Sequence, residues 1–93
     1  MPSKLVFRVH AIARMFERGI SEEEVQAALD SGKTIERYPE DTPYPSRLVL
    51  WWCRSRPIHV VAADNVQEDE IMVITVYEPD PALWESDFTR RKR

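Results

Sequence analysis

This chain predicts a two-layer α+β fold: two N-terminal helices packed on a four-stranded, mainly antiparallel sheet, with a short C-terminal helix. Three features of the sequence carry that prediction. The stretch HAIARMFERGISEEEV, from His10 to Val25, shows helical spacing twice, interrupted once at Gly19. Three strongly apolar runs then follow between residues 47 and 77, separated by turn residues. A Pro-rich end brings Trp84 and Phe88 four positions apart, a spacing at which they would pack together on a helix.

Taken in order, residues 4–9, KLVFRV, alternate and read as an edge strand or as an early start to the first helix; Val and Phe weigh toward strand. The first helix covers Val9–Arg18. Gly19 stops it, with Arg18 in the last turn, while Ile12, Met15 and Phe16 are placed to pack inward. Ser21 opens the second helix, Glu22–Ser31, with Glu24 at capping-box spacing and Ile20 as an entry staple. Val25, Ala28 and Leu29 form its apolar stripe, and Gly32 is its stop. The strands are then 34–38, 47–54, 58–63 and 71–77. Pro39, Pro43 and Pro45 make the first connection a loop, because proline cannot donate to a ladder. Ser55, Arg56 and Pro57 form one turn, and residues 64–70 a polar one. Such short links predict an antiparallel meander for the last three strands. Asp80 as cap and Pro81 at the first helical position start a short helix over 81–88.

The chain has 93 residues, 43% hydrophobic and 31% charged, which suits one folded domain spanning 1–93, with residues 89–93 as a basic flexible tail. Cys53 is the single cysteine, so an intramolecular disulfide is impossible and a reducing compartment is expected. No apolar run approaches a membrane span and no signal-peptide core is evident, so the expectation is a cytoplasmic protein with no membrane partner. The net charge of −3 runs against a generic nucleic-acid binder. The charge is uneven: Glu22–Glu24 and Glu68–Glu70 are acidic blocks, while Arg90–Arg93 is basic.

His10, Arg14 and Arg18 recur every four residues, so on a helix they line one face. Such a row suits phosphate: arginine binds it in a bidentate way, and an imidazole exchanges protons near neutral pH. Cleaving RNA needs those roles, a base for the 2′-hydroxyl, an acid for the leaving oxygen and cations for the developing charge. The same residues also read as a solvated face, with Arg14 paired to Glu17 and Arg18 to the acidic second helix. A hairpin turn over 64–70 places His59 opposite Thr75, with Tyr77 two positions further along the same side. His59, Thr75 and Tyr77 then form a polar cluster on an apolar sheet, and a slip of one residue would dissolve it. Trp51 and Trp52 point to opposite faces, one toward the core and the other available to a partner or a base. The two histidines and scattered carboxylates lack metal-ligand spacing, and no Gly-rich phosphate loop is present; neither metal nor cofactor is expected.

His10-Ala11, Arg14-Met15 and Glu17 through Val25 resemble the opening of the bacterial domain of unknown function 4258. Gly32 with Ile35-Glu36 resembles its next block. Residues 58–61, residues 74–77, Pro79-Asp80 and Trp84 resemble its sheet and ending. The resemblance rests on the order of several blocks across nearly the whole chain. It implies a distant relation to small RelE/ParE-type toxins, hence a RelE-like fold, an RNase or other RNA-directed activity, and an antitoxin as partner. A non-catalytic interaction module or homodimer, built on Trp51, Trp52 and an apolar sheet face, is the competing expectation.

Overall fold

The computed structural model describes residues 3–93. The elements are β1 (Lys4–Phe7), α1 (Val9–Arg18), α2 (Glu22–Ser31), β2 (Lys33–Tyr38), β3 (Ser46–Cys53), β4 (Arg56–Asn65) and β5 (Glu70–Tyr77). They form one five-stranded mixed sheet in the order β1-β5-β4-β3-β2. The expected four-stranded antiparallel sheet is therefore corrected. β1 joins as a fifth strand, parallel to β5, with Leu5 beside Ile71 and Phe7 beside Val73. Its run of four residues is too short to announce a partner, and β5 had an unpaired edge to fill.

The helix pair forms for local reasons. Gly19 takes a left-handed φ of 64°, which closes α1 without a Cβ penalty, and its N–H bonds back to the last turn. Ser21 Oγ accepts the Glu24 N–H at 3.1 Å, capping α2. Gly32 stops α2 for a different reason than expected. Its φ is −73°, but a Cβ there would sit 2.4 Å from the Ala28 carbonyl oxygen and 2.6 Å from Val49 Cγ1. The chain must pass that close to enter β2.

Both helices lie on one face of the sheet. Ala11, Met15, Ile20, Val25 and Ala28 meet Ile58, Val60, Ala62, Val73 and Val76 in a single buried cluster, with Trp51 packed at its margin. Ile12 and Phe16 were expected inward, yet they are exposed; α1 touches the sheet along the narrower line of Ala11 and Met15.

The strands run longer than the apolar runs suggested. Arg56 and Pro57 belong to β4, leaving a two-residue turn in which Arg54 has a φ of 61°. The β4–β5 register also differs from the expected one. His59 pairs with Tyr77 and Val61 with Thr75, two positions beyond the expected register: the hairpin end, with Asn65 opposite Glu70, contributes one residue and a bulge between Val61 and Ala62 the other.

The expected C-terminal helix does not form. Asp80 caps a single turn, its carbonyl accepting the Leu83 and Trp84 N–H groups at 2.9 and 3.0 Å. The next amides are used differently: Glu85 N–H bonds the Arg90 carbonyl and Lys92 N–H the Leu83 carbonyl, each at 2.8 Å. A tight hairpin results, with Trp84 bridged to Arg91. Trp84 and Phe88 do not pack on each other. Trp84 seats on His59 and Phe88 on Trp52, so the segment 79–93 covers the sheet face opposite the helices.

Candidate functional site

The candidate residues occupy two sites on opposite sides of the sheet. α1 turns Ala11 and Met15 inward, which leaves His10, Arg14 and Arg18 exposed along its outer flank. Arg14 Nη1 donates to Glu17 Oε2 at 3.1 Å, with both side chains about half exposed. Arg18 does not pair with α2. Arg56 takes that place, bonding Glu78 and the carbonyls of Arg18 and Gly19 and lying 3.9 Å from Glu24. A pair such as Arg14–Glu17 contributes about 0–1 kcal/mol, so an incoming phosphate can displace the carboxylate at small cost. Glu17 lies two turns from His10 on the same flank, and the row therefore reads imidazole, guanidinium, carboxylate. The row lines none of four surface cavities of 330 to 440 Å³. It stands on a convex helix.

Beside that row runs an apolar stripe. Val9 is 84% exposed, Ile12 54% and Phe16 89%. The local charge is opposite in sign to that of the chain. Residues 1–20 carry four cations and one carboxylate, residues 21–89 five cations and fifteen carboxylates, and Arg90–Arg93 four cations.

The second site lies on the other face. The β4–β5 bulge brings His59 and Tyr77 side by side, and β2 adds Glu36 and Tyr38 toward the far edge. His59 is fully buried. Its Nε2 lies 2.9 Å from the Phe88 carbonyl oxygen and its Nδ1 3.1 Å from the Tyr77 hydroxyl. A carbonyl only accepts, so Nε2 carries the proton; Nδ1 of the neutral ring then accepts from the Tyr77 O–H. Burial pushes His59 below its ordinary value, against the opposing pull of the Phe88 hydrogen bond. Burial likewise raises Tyr77, while the Arg91 charge opposes that rise. Tyr38, partly buried and donating to Glu36 Oε1 at 2.5 Å, is pushed up to about 12 by that partial burial and by the Glu36 carboxylate.

With both ring nitrogens engaged and Trp84 edge-on at 4.5 Å, His59 cannot meet a ligand from solvent; it positions Tyr77 and holds the C-terminal segment. Thr75 lies two residues from Tyr77 on the same strand, opposite Val61 rather than His59.

His10, Arg14 and Arg18 thus form one set and His59 and Tyr77 another, with the sheet between them. Sequence reasoning named Glu17 as the partner of Arg14, which the structure shows, and gave it no chemical role in the row. It also missed Glu36 and Arg91, whose charges act on His59; they arrive from β2 and the C-terminal hairpin, and no local pattern links them. Arg56 was hidden inside an assumed turn. Among the described residues, no group of three or more His, Cys, Asp or Glu side chains is placed to hold a metal ion. Nor is any helix long and apolar enough to cross a membrane.

These features define a small α+β domain with one open, cationic helix and one covered sheet face. The family model described as domain of unknown function DUF4258 matches residues 7–78, so the chain belongs to that family. No curated protein and no solved structure matches it.

Proposed function

We propose that this domain is an RNA-directed, metal-independent module of the toxin type, engaging a single-stranded phosphodiester chain through the outer flank of α1. The observation that carries this reading is the segregation of charge: an acidic chain presents an exposed row of His10, Arg14 and Arg18 beside an exposed Phe16. Cations hold the backbone and an aromatic face stacks a base, the two requirements of single-strand binding. The functional kinship to RelE/ParE-type toxins is part of this proposal and rests on the motif order, by analogy.

Cleavage at this row has a balanced course. Glu17 takes the 2′-hydroxyl proton, the 2′-oxygen bonds to phosphorus, and the bond from phosphorus to the 5′-oxygen breaks. Protonated His10 gives its proton to that leaving oxygen, and a 2′,3′-cyclic phosphate remains. Arg14 and Arg18 neutralise the charge on the phosphoryl oxygens. His59, Thr75 and Tyr77 are not needed in this scheme; His59 and Tyr77 support the covered face.

Inducing the chain in a bacterial host and following growth and bulk RNA tests cleavage. Anisotropy with a labelled single-stranded RNA at low salt tests binding. Arg14→Ala is expected to abolish growth arrest and weaken binding while the thermal midpoint stays close to wild type. A wild-type chain that neither binds RNA nor arrests growth would overturn the reading.

A second reading has its own observation. Val9, Ile12 and Phe16 form an apolar stripe flanked by arginines, which suits a protein partner offering an apolar groove rimmed with carboxylates, the role an antitoxin would fill. The earlier basis for an interaction module was Trp51, Trp52 and a bare sheet face. That basis is narrowed, since Trp51 packs beside the core and the chain's own end seats on the other face, while Trp52 stays 42% exposed. Ile12→Ser separates the two readings: it weakens capture by a protein partner and leaves Phe16 and the charge contacts of Arg14 in place. Light scattering at micromolar concentration checks for a homodimer.

A further inference from the structure

The C-terminal hairpin carries a feature that neither reading of α1 uses. Arg90, Arg91, Lys92 and Arg93, with Glu85, line a cavity of 420 Å³. Among the described residues none of these four cations forms a salt bridge or donates a side-chain hydrogen bond. Glu85 lines the same cavity without forming a salt bridge to them, and Asp87 is engaged by Thr89: its Oδ1 accepts the Thr89 N–H at 3.1 Å and the Thr89 hydroxyl at 2.9 Å. Those bonds, helped by the Arg90 charge, hold its carboxyl below the ordinary range.

The hairpin is held from beneath. Trp84 is 3% exposed, wedged on His59, and the Arg91 guanidinium lies 4.9 Å from the Trp84 ring centroid. The Glu85–Arg90 and Lys92–Leu83 backbone bonds close the loop. Four cations with no carboxylate partner, set on a backbone bent into a concave shape, concentrate positive potential where an anion can sit. One monovalent anion would leave most of that charge uncompensated; adjacent phosphates match it.

We propose that this hairpin is a binding site for a chain of phosphates, either a free polyphosphate or consecutive phosphates of a nucleic-acid backbone. The site stands whether or not α1 engages RNA, because it lies on the other side of the sheet. Arg91, stacked on Trp84, supplies a fixed guanidinium, and Arg90, Lys92 and Arg93 close on the ligand from around it. Trp84 and His59 act as positioning residues that hold the loop's shape.

Isothermal titration of the full chain with sodium tripolyphosphate, and separately with a single-stranded RNA, tests this. Binding of at least one ligand is expected. A triple variant, Arg90→Gln with Lys92→Gln and Arg93→Gln, should weaken that binding roughly tenfold and lower the log–log salt slope for RNA by about 2. It spares Arg91, so Trp84 keeps its cover and the thermal midpoint should hold. Tripolyphosphate bound and RNA untouched by the variant identifies a free polyphosphate as the ligand; the reverse identifies a nucleic-acid backbone. Arg14→Ala should leave tripolyphosphate binding unchanged, which separates this site from α1. Failure of the wild type to bind either ligand, or equal binding by wild type and triple variant, would overturn the proposal.

Discussion

The two faces of the sheet are built on different principles. Under the helices, Ile58, Val60, Ala62, Val73 and Val76 are apolar and fully buried, and that face is held mainly by dispersion and water exclusion, with Arg56 tying the helix ends at its margin. On the other face, His59 is hydrogen-bonded to Tyr77 and to the Phe88 carbonyl, Tyr38 is bonded to Glu36, and Trp84 and Phe88 from the chain's end seat on His59 and Trp52. The first face tolerates small shifts, because apolar contact has no direction. The second does not, since each polar group there depends on one partner. The comparison also shows that the exposed α1 row and the His59 cluster cannot share an active site: a dry sheet separates them.

The largest effect should come from the apolar face. Ile58→Ala is expected to cost about 2–5 kcal/mol, read from chemical denaturation, because the closed cluster cannot collapse fully around the gap. A loss below 1 kcal/mol would mean that this face is looser than its burial implies. On the polar face, His59→Phe keeps a ring but strands the Tyr77 hydroxyl and the Phe88 carbonyl, for about 1–3 kcal/mol.

The same residue should mark that face by pH. His59 has a folded value below its unfolded one, so the unfolded chain binds more protons as pH drops. Stability is then full above about pH 6.5, the unfolded value, and falls as pH drops from there through the lower folded value. His59→Phe should remove that decline between about pH 6.5 and 5, the interval above most carboxylate titration. Parallel pH profiles for variant and wild type would break the assignment.

Smaller effects belong outside both faces. Arg14→Ala should change stability by about 0–1 kcal/mol, since Glu17 and Arg14 are half in water. Phe16→Ser should stay within about 0.5 kcal/mol, although it removes the most exposed aromatic ring of α1. A clear destabilisation by either would tie α1's outer flank to the scaffold and remove it as a binding surface.

Much of this was legible in the residues. The two helices, Gly19 as a left-handed stop, Ser21 as a cap and the apolar runs of β3, β4 and β5 follow from periodicities and caps that span a few positions. The exposed row of α1 follows from the same spacing once Ala11 and Met15 face inward. Other features were not legible, and for a common reason. The sum of paired positions in β4 and β5 depends on one bulged residue; without it, His59 would lie opposite Val76, and the polar cluster would be split between two faces.

β1's place beside β5, and the replacement of a helix by a hairpin at residues 79–93, were settled likewise by groups distant in the chain. By itself the sequence determined α1, α2 and the strands β2 to β5, because those choices rest on periodicity, hydrogen bonds and caps between near neighbours. The tertiary structure alone decided which side chains meet. Pairing across the sheet counts residues over long separations, and a single unpaired one reverses the side on which every later residue falls.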